Sequence, residues 1–380
     1  MSKENSNLLG KVLGISINVL IFLFLMYLFL LAISLLGDSF KLLGKGVAES
    51  LFKATANPFS GLMIGLLVTS LIQSSSATTS MIVALVSAGG LEITAAIPMV
   101  MGANIGTTIT NTIVSIGHIT RNDEFERAYA GSVVHDCFNI LTVCILLPFE
   151  LMTGSLEKTA NFLSNIFYGA ESSTFTSPVK VFIKPVEKII INFFEHHWGM
   201  SKEGAGILGI ILGFALIFFA LTYIVKFMRR VTASNIEENI RKVFSANAYV
   251  IIAIGILITV LVQSSSITTS LLVPLLGANI MTLEQAFPLT VGANIGTTVT
   301  ALLASMAGNQ AGLTIALVHL LFNLSGFALF YPIEKMRNIP IACAKWLARI
   351  TVKNKKLALI YIATVFFIIP FLGMWLFEQL

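Results

Sequence analysis

The sequence predicts an all-α polytopic membrane protein with two inverted-topology repeats, each containing a re-entrant helical hairpin and a broken helix. The chain is 56% hydrophobic and only 11% charged, which lies outside the usual balance of soluble globular domains. Several apolar stretches are long enough to cross a bilayer core of about 30 Å as helices. The polar pattern QSSSxTTS occurs twice, at 73–80 and 263–270, inside apolar surroundings.

The first membrane span is predicted at residues 13–36. This stretch is too long for the apolar region of a secretory signal, and no small-residue cleavage site follows it, so we expect a retained span. Residues 204–226 and 357–377 are equally apolar and predict two further spans.

The membrane topology can be laid out if each QSSS segment is a re-entrant hairpin, which enters and leaves the membrane on the same side. The inner segments are then 1–12, 118–127, 226–248 and 334–356. They hold 16 of the 24 lysines and arginines, including all seven arginines. This distribution satisfies the positive-inside rule.

The layout divides the chain into four parts. The first repeat (1–153) contains the first span, hairpin 59–88, broken helix 93–117 and span 124–150, and an external polar loop follows at 154–203. The second repeat (204–333) contains span 204–226, hairpin 249–279, broken helix 286–307 and span 312–333. Residues 334–380 form a basic interfacial segment and the last span.

The duplication is visible in an alignment of 73–110 with 263–300 at an offset of 190, which gives 20 identities in 38 positions. GANIGTT recurs at 102–108 and 292–298, and VHDCFN at 134–139 matches VHLLFN at 318–323. In the predicted topology the two copies run in opposite directions. Inverted repeats of this kind are typical of secondary transporters that bind substrate and ion between the repeats.

The QSSS segments predict a binding site at the hairpin tips. Non-helical backbone at membrane depth must face protein or a water-filled cavity. Serine and threonine hydroxyls both donate and accept hydrogen bonds, and free N–H groups at helix starts favour an anion. Carbonyl, amide and hydroxyl oxygens suit Na⁺. The alternative is helix packing, for which small residues such as those of GANIG are also used.

Asp136 is an ionisable residue in the middle of an apolar segment, which indicates ion coordination, with pairing to His135 or helix capping as the alternative. His135 and His319 occupy matching positions in the two repeats, each four residues before an asparagine (Asn139 and Asn323). A buried hydrogen-bonding role is expected for both histidines, because no metal-ligand spacing accompanies them.

The chain resembles the type II sodium-dependent phosphate cotransporters in a short bacterial form. The resemblance rests on the QSSS motifs, MGANIGTTITNTIV and RAYAGSVVHDCFNILTVCILLPFE (127–150), and extends from about residue 10 to the end. It implies Na⁺-coupled uptake of inorganic phosphate, with no cofactor besides the coupling ion. A bacterial inner membrane is the expected location, since 154–203 lacks the cysteines and glycosylation acceptor of the animal members' extracellular loop.

The resemblance and the motif chemistry together give a set of expected site residues. For phosphate they are Ser74, Ser75, Ser76, Ser264, Ser265 and Ser266. For sodium they are Gln73, Gln263, Asn104, Asn294, Thr297, Thr300, Asp136 and Asn139. Of these, Asp136 and Asn139 match the Asp and Asn of an additional cation site in electrogenic members of the family. His118 and Arg121, by contrast, differ from the Gln and Asp that those members carry at the corresponding positions.

Other functions are less compatible with the sequence. Another small anion, such as sulfate or a dicarboxylate, is an alternative substrate, because the chemistry of the motif residues, without the family resemblance, does not distinguish it from phosphate. An intramembrane serine hydrolase would need a GxSxG elbow, which is lacking. A channel would need a continuous pore. The expected partners are phosphate, Na⁺ and the lipid bilayer; nucleic acid is excluded because the basic residues form no groove with interleaved aromatics.

Overall fold

The computed structural model of the protein describes residues 3–43, 57–168, 178–232 and 247–378, and every regular element among them is helical. We number the helices in chain order. The first eight are α1 (Lys3–Leu42), α2 (Pro58–Ile72), α3 (Ser75–Ala88), α4 (Ile93–Gly106), α5 (Ile109–Ile116), α6 (Asn122–Thr153), α7 (Ser155–Tyr168) and α8 (Pro178–Asn192). The others are α9 (Lys202–Thr232), α10 (Ala248–Val262), α11 (Ser265–Ser270), α12 (Leu272–Gly277), α13 (Leu283–Ser305), α14 (Gln310–Phe330), α15 (Glu334–Lys353), α16 (Lys356–Ala363) and α17 (Ile369–Glu378).

Seven helical stretches within the described residues are long and apolar enough to cross a membrane. They are Ile17–Leu42, Ile93–Ile116, Asn122–Thr153, Lys202–Ile224, Leu283–Ser305, Gln310–Phe330 and Lys356–Phe377. These stretches coincide with the seven full crossings predicted from the sequence, so the prediction of an all-α polytopic membrane protein is confirmed. Most of the predicted inner segment 226–248 lies outside the described residues.

Two shorter helix pairs contain the QSSS segments. Helices α2 and α3 form the first hairpin, and α10 followed by α11 and α12 forms the second. The two begin alike: the side chain of Asn57 accepts a hydrogen bond from the N–H of Phe59, and that of Asn247 accepts one from the N–H of Tyr249. The repeat in the sequence is therefore also a repeat in local structure.

The second limbs of the two hairpins differ. Helix α3 is continuous, whereas the corresponding limb of the second hairpin is interrupted between α11 and α12 at Leu271. Pro274 lies where the first repeat has Ala84. Because proline has no N–H, it cannot donate to the carbonyl of Ser270, and one hydrogen bond of the helix is lost.

The helices that carry GANIGTT also differ. The first is broken, since α4 ends at Gly106 and α5 begins at Ile109. The second, α13, is continuous from Leu283 to Ser305, so the prediction of a broken helix at 286–307 is wrong for this structure.

The hairpin serines make different contacts with these two helices. Ser266 Oγ donates to the main-chain carbonyl of Thr107 at 3.3 Å, and the N–H of Asn111 donates to Thr108 instead of to Thr107. In the other half, Ser76 Oγ instead contacts a side-chain hydroxyl at 3.4 Å, which leaves the backbone hydrogen bonds of α13 in place.

The centre of the molecule is formed by the span α4–α5, together with α6 and α13, which are the most buried of the candidate spans. A Cβ at Gly102 would lie 2.0 Å from the carbonyl oxygen of Leu62, and one at Gly292 would lie 2.2 Å from that of Ile252. These glycines therefore let α4 pack closely on α2, and α13 on α10.

The segment 154–203, predicted to be a polar loop, contains helices α7 and α8. Helix α8 is held on α1 by an ionic cluster in which Lys184 Nζ lies 2.6 Å from Asp38 Oδ2 and 3.0 Å from Glu187 Oε1. Ser34 donates a hydrogen bond to the same glutamate. Burial, together with the hydrogen bond to Asp38, raises the pKa of Glu187 to about 7.

Candidate transport site

Each hairpin turns at the first residue of its QSSS motif. Gln73 and Gln263 both end their helices in the left-handed conformation, with φ of 56°. The following serine begins the next helix: Ser74 Oγ accepts from the N–H of Ala77, and Ser264 Oγ makes the corresponding bond. The motif is therefore a left-handed helix end followed directly by an N-cap, which reverses the chain within two residues.

The second serine of each motif is buried at the tip. Ser75 and Ser265 are 4% and 3% exposed. Their carbonyls accept from Thr79 and Thr269 at 2.8 Å each. Within the part of the chain that the structure describes, neither serine hydroxyl has a hydrogen-bond partner, so both are available to a ligand.

The third serine of each motif contacts the opposite repeat. Ser76 of the first hairpin reaches Thr300 on α13, and Ser266 of the second hairpin reaches Thr107 at the break between α4 and α5. The predicted phosphate residues are thus brought against the GANIGTT segments, across the boundary between the repeats.

The glutamines are arranged differently in the two halves. Gln263 is buried, and its Oε1 accepts a hydrogen bond from Thr300 Oγ1 at 2.9 Å. Gln73 is exposed, and Thr110, which matches Thr300 at the offset of 190, has a buried hydroxyl without a partner. Thr297 bonds to the carbonyl of Ala293 in its own helix.

A buried asparagine network lies between the repeats. Asn294 Nδ2 donates to the side-chain oxygens of Asn139 and Asn323, both at 2.9 Å, and its Oδ1 lies 3.0 Å from His135 Nε2. The predicted hydrogen-bonding role of this histidine is confirmed. Protein groups occupy both the amide nitrogen and the amide oxygen of Asn294.

The first repeat makes a similar but looser set of contacts around Asn104. Its Oδ1 lies 3.4 Å from His319 Nε2, and its carbonyl accepts from Asn139 Nδ2 at 2.9 Å. The structure therefore brings together three of the predicted sodium residues, Asn104, Asn139 and Asn294, in one network at the crossing of the central helices.

Asp136 is fully buried on α6. Its Oδ2 accepts a hydrogen bond from Tyr361 Oη at 2.9 Å, whereas its Oδ1 has no partner among the described residues. The carboxyl group thus pairs with the last span through one oxygen and has the other free for an ion.

The family relationship is decided by a match over most of the chain. The Na⁺/Pi-cotransporter family model matches residues 28–169 and 216–378. The protein belongs to the Na⁺/Pi-cotransporter family. Both hairpins, the central helices and Asp136 lie within the matched residues.

Relatives of this Na⁺/Pi-cotransporter chain include three mammalian proteins. It is 33% identical over 418 residues to sheep sodium-dependent phosphate transport protein 2A, covering 91% of the chain and 65% of the relative. The rat 2A protein is 35% identical over 416 residues, with the same coverage. The human 2B protein is 34% identical over 455 residues, covering 95% of the chain and 66% of the relative. The chain thus spans about 65% of the length of these relatives, and no solved structure matches it.

Two residues at the site of this Na⁺/Pi-cotransporter family member were missed by the sequence analysis. Asn111 on α5 binds the second hairpin, donating to Thr269 Oγ1 and accepting from Ser270 Oγ, both at 2.8 Å. Tyr361 reaches Asp136 from the last span. Comparison of the repeats gave no signal for Asn111, because Ala301 holds the matching position; only its polarity within an apolar segment could have identified it.

His118 and Arg121 lie apart from the network. Both face Glu124, with Arg121 Nη1 2.6 Å from Glu124 Oε1 and His118 Nδ1 3.7 Å from Glu124 Oε2. The hydrogen bond to Glu124 raises the pKa of Arg121, which is already fully charged. Arg121 and Glu124 thus form a surface ion pair at the start of α6, with His118 beside it.

Proposed function

We propose that this protein is a secondary active symporter that imports inorganic phosphate with Na⁺ by alternating access. Family membership and the similarity to sodium-dependent phosphate transport proteins support the proposal. The observation that carries it is the pair of residues Ser75 and Ser265 at the hairpin tips, which are 4% and 3% exposed and whose hydroxyls have no hydrogen-bond partner among the described residues. A hydroxyl that makes no bond within the protein can donate to an anion without first breaking another hydrogen bond.

The proposed phosphate site consists of hydroxyl and main-chain groups. Its residues are Ser74, Ser75, Ser76, Ser264, Ser265 and Ser266. Neither QSSS hairpin nor GANIGTT segment contains a lysine or arginine, so the anion is held by hydrogen-bond donors and by the charge of co-bound sodium. Helix α3, which begins at Ser75, adds the partial positive charge of its N-terminus.

The proposed sodium ligands are oxygen atoms on the central helices and tips, from Gln73, Gln263, Thr297, Thr300, Asp136, Asn139, Asn104 and Asn294. Na⁺ is a hard cation that prefers such oxygens. Asn294 would have to release part of its network to reach an ion, whereas Asp136 offers an unpartnered oxygen without rearrangement.

The proposed location is a bacterial inner membrane, with the arginine-rich segments inside and the two repeats in opposite orientations. Transport, rather than hydrolysis, is the proposed activity. The buried rings of His135 and His319 contact asparagines, not serines, which disfavours a serine nucleophile activated by histidine.

Uptake of radiolabelled phosphate into proteoliposomes tests the proposal. We expect saturable uptake with an inward Na⁺ gradient and none when choline replaces Na⁺. Unlabelled sulfate and succinate are added as competitors at equal concentration and should reduce uptake only weakly. Equal uptake in Na⁺ and choline would overturn the proposal, and stronger competition by sulfate or succinate would identify another anion as the substrate.

A further inference from the structure

The inner end of the second hairpin is held by an arginine from the first repeat. Arg127, on α6, donates from Nε to the carbonyls of Leu276 and Gly277 at 3.3 and 3.1 Å, and from Nη2 to Gly277 at 2.8 Å. These carbonyls lie at the C-terminal end of α12, where helical carbonyls lack partners within the helix, although that of Leu276 also accepts from the N–H of Asn279 at 3.0 Å. A guanidinium is well suited to bind them, because its donors form a planar fork.

The corresponding position in the first hairpin has a weaker contact. Gly277 and Ser87 match at the offset of 190. Asn309, from the second repeat, donates through Nδ2 to the carbonyl of Ser87 at 2.9 Å. Each hairpin end is thus held by a side chain of the other repeat, but one contact uses a charged group with three hydrogen bonds and the other a neutral group with one.

The stronger contact belongs to the limb that is less rigid. The second hairpin has the interruption associated with Pro274, whereas the first has Ala84 and a continuous helix. A limb with a missing helical hydrogen bond bends more readily than a continuous one. The position of its end therefore depends more on the contact that holds it.

The second hairpin also has more free space beside its end. A cavity of about 430 Å³ is lined by residues of α6, the end of α12 and the segment after it, the start of α13, and α15, among them Arg127, Leu276 and Asn279. The cavity beside the end of the first hairpin measures about 140 Å³, and the ion pair between Lys184 and Asp38 lies along it. Movement of the second hairpin is therefore less obstructed.

We propose that the second hairpin is the moving gate of the transport site, that it bends at Pro274, and that Arg127 is the positioning residue that holds its end in the closed state. The first hairpin, continuous and closely packed, is the fixed wall. This inference rests on the proposed function and adds the assignment of different roles to the two repeats. The buried Gln263, bonded to Thr300, marks the closed gate in this structure.

The first experiment measures opening of the gate without substrate. Gln263→Cys is introduced, and its rate of modification by a water-soluble thiol reagent in detergent is measured by peptide mass spectrometry, with the fully accessible rate in denaturant as the reference. Adding Arg127→Met should raise the rate at position 263 by about tenfold or more, because charge-assisted hydrogen bonds are lost. Arg127→Lys should restore most of the protection, and Asn309→Ala, the matched change at the other hairpin, should leave the rate within about twofold.

The second experiment measures transport. Pro274→Ala should reduce the maximal rate of phosphate uptake several-fold with little change in half-saturating phosphate, because a continuous helix bends less readily. Pro148→Ala, which removes an exposed proline inside α6, is the matched control and should change uptake less than twofold.

If Arg127→Met does not fold, Arg127→Gln is the alternative variant in the labelling assay of the first experiment.

The outcomes separate the two proposals. Labelling at position 263 that is unchanged by Arg127→Met, or raised equally by Asn309→Ala, would overturn the gate assignment even if Na⁺-dependent phosphate uptake is observed. Absence of such uptake in the wild-type protein, together with the expected labelling in the Gln263→Cys variants, would overturn the proposed substrate and leave the gate assignment in place.

Discussion

At the scale of single residues, the second serines of the two motifs distinguish a binding site from helix packing. Most hydroxyls in the hairpins bond back to their own helix, as Thr79 does to Ser75 and Ser80 does to Ser76. Such bonds satisfy a buried hydroxyl locally and are common in membrane helices. The hydroxyls of Ser75 and Ser265 have no such partner among the described residues, and this is the property expected of ligand-binding groups.

Replacement of either serine should therefore weaken phosphate binding without unfolding the protein. Ser75→Ala or Ser265→Ala should raise half-saturating phosphate by about tenfold, the effect of losing one hydrogen bond to a charged group. Phosphate uptake and the melting temperature are measured together. Ser305→Ala is the matched control, because this buried hydroxyl bonds to the carbonyl of Leu302 in its own helix. A fall in melting temperature with unchanged half-saturation would instead support the packing interpretation.

Asp136 is expected to make transport sensitive to voltage. Two sodium ions with divalent phosphate carry no net charge, so a further sodium is needed for the membrane potential to act on the cycle. One elementary charge moved through 100 mV corresponds to about 2.3 kcal/mol. Asp136→Asn should keep Na⁺-dependent uptake but lose its dependence on imposed potassium-diffusion potentials.

A matched control removes a carboxyl group elsewhere. Glu187→Gln, in α8, should retain the wild-type response to voltage. An Asp136→Asn variant with an unchanged voltage response would exclude this residue as the additional sodium site.

At the scale of elements, the attachment of α8 to α1 should depend on pH. The pKa of Glu187 is raised to about 7 in the folded protein, above its ordinary value of about 4.3. The folded state thus binds more protons than the unfolded state between these values, and the contribution of this group to stability is lost as the pH rises through about 7. Glu187→Gln should flatten the fall in melting temperature of the wild-type protein between pH 5 and pH 8. Parallel curves for the two proteins would contradict this.

The crossings could be predicted from sequence because the bilayer imposes a length and a composition on each span. A helix must be apolar over about 20 residues to cross, and α1, α9 and α16–α17 meet this condition plainly. The motif comparison added the hairpins, since QSSSxTTS interrupts two apolar segments at the same spacing. Both signals can be read from the order of residues without knowledge of tertiary contacts, which is why a single sequence was sufficient.

Three features of the structure were not predictable from the sequence. Two of them depend on tertiary contacts, and the third depends on amphipathic helices whose hydropathy signal is weak. Helices α7 and α8 are amphipathic, so their mean hydropathy is low and the segment was interpreted as a loop. The continuity of α13 and the break between α4 and α5 accompany different contacts with serines of the other repeat, which join residues far apart in the chain. The contact of Asn111 with Thr269 joins residues far apart in the chain, and no spacing rule indicates it.

At the scale of the whole molecule, phosphate and sodium are expected to bind interdependently. The proposed anion site has no cationic side chain, so the sodium charge is needed to compensate the phosphate. By thermodynamic linkage, each ligand raises the affinity for the other by the same factor. Titration calorimetry in detergent should give tighter phosphate binding in Na⁺ than in choline, and phosphate should raise the melting temperature only when Na⁺ is present. Equal phosphate affinity in the two salts would contradict the interdependence.

At each hairpin tip, a glutamine adopts the left-handed backbone conformation, which is less favourable for glutamine than for glycine. Glycine or asparagine adopts positive φ more easily than glutamine, for which this conformation costs roughly 1–2 kcal/mol. Yet both Gln73 and Gln263 have φ of 56°. A sequence optimised for stability alone would have glycine at both tips and would lose the two amide groups. With the proposed sodium-binding role of the two glutamines, their conformational cost is balanced by a ligand that glycine could not supply, so a thermostabilised version of this protein should be designed with these two positions left unchanged.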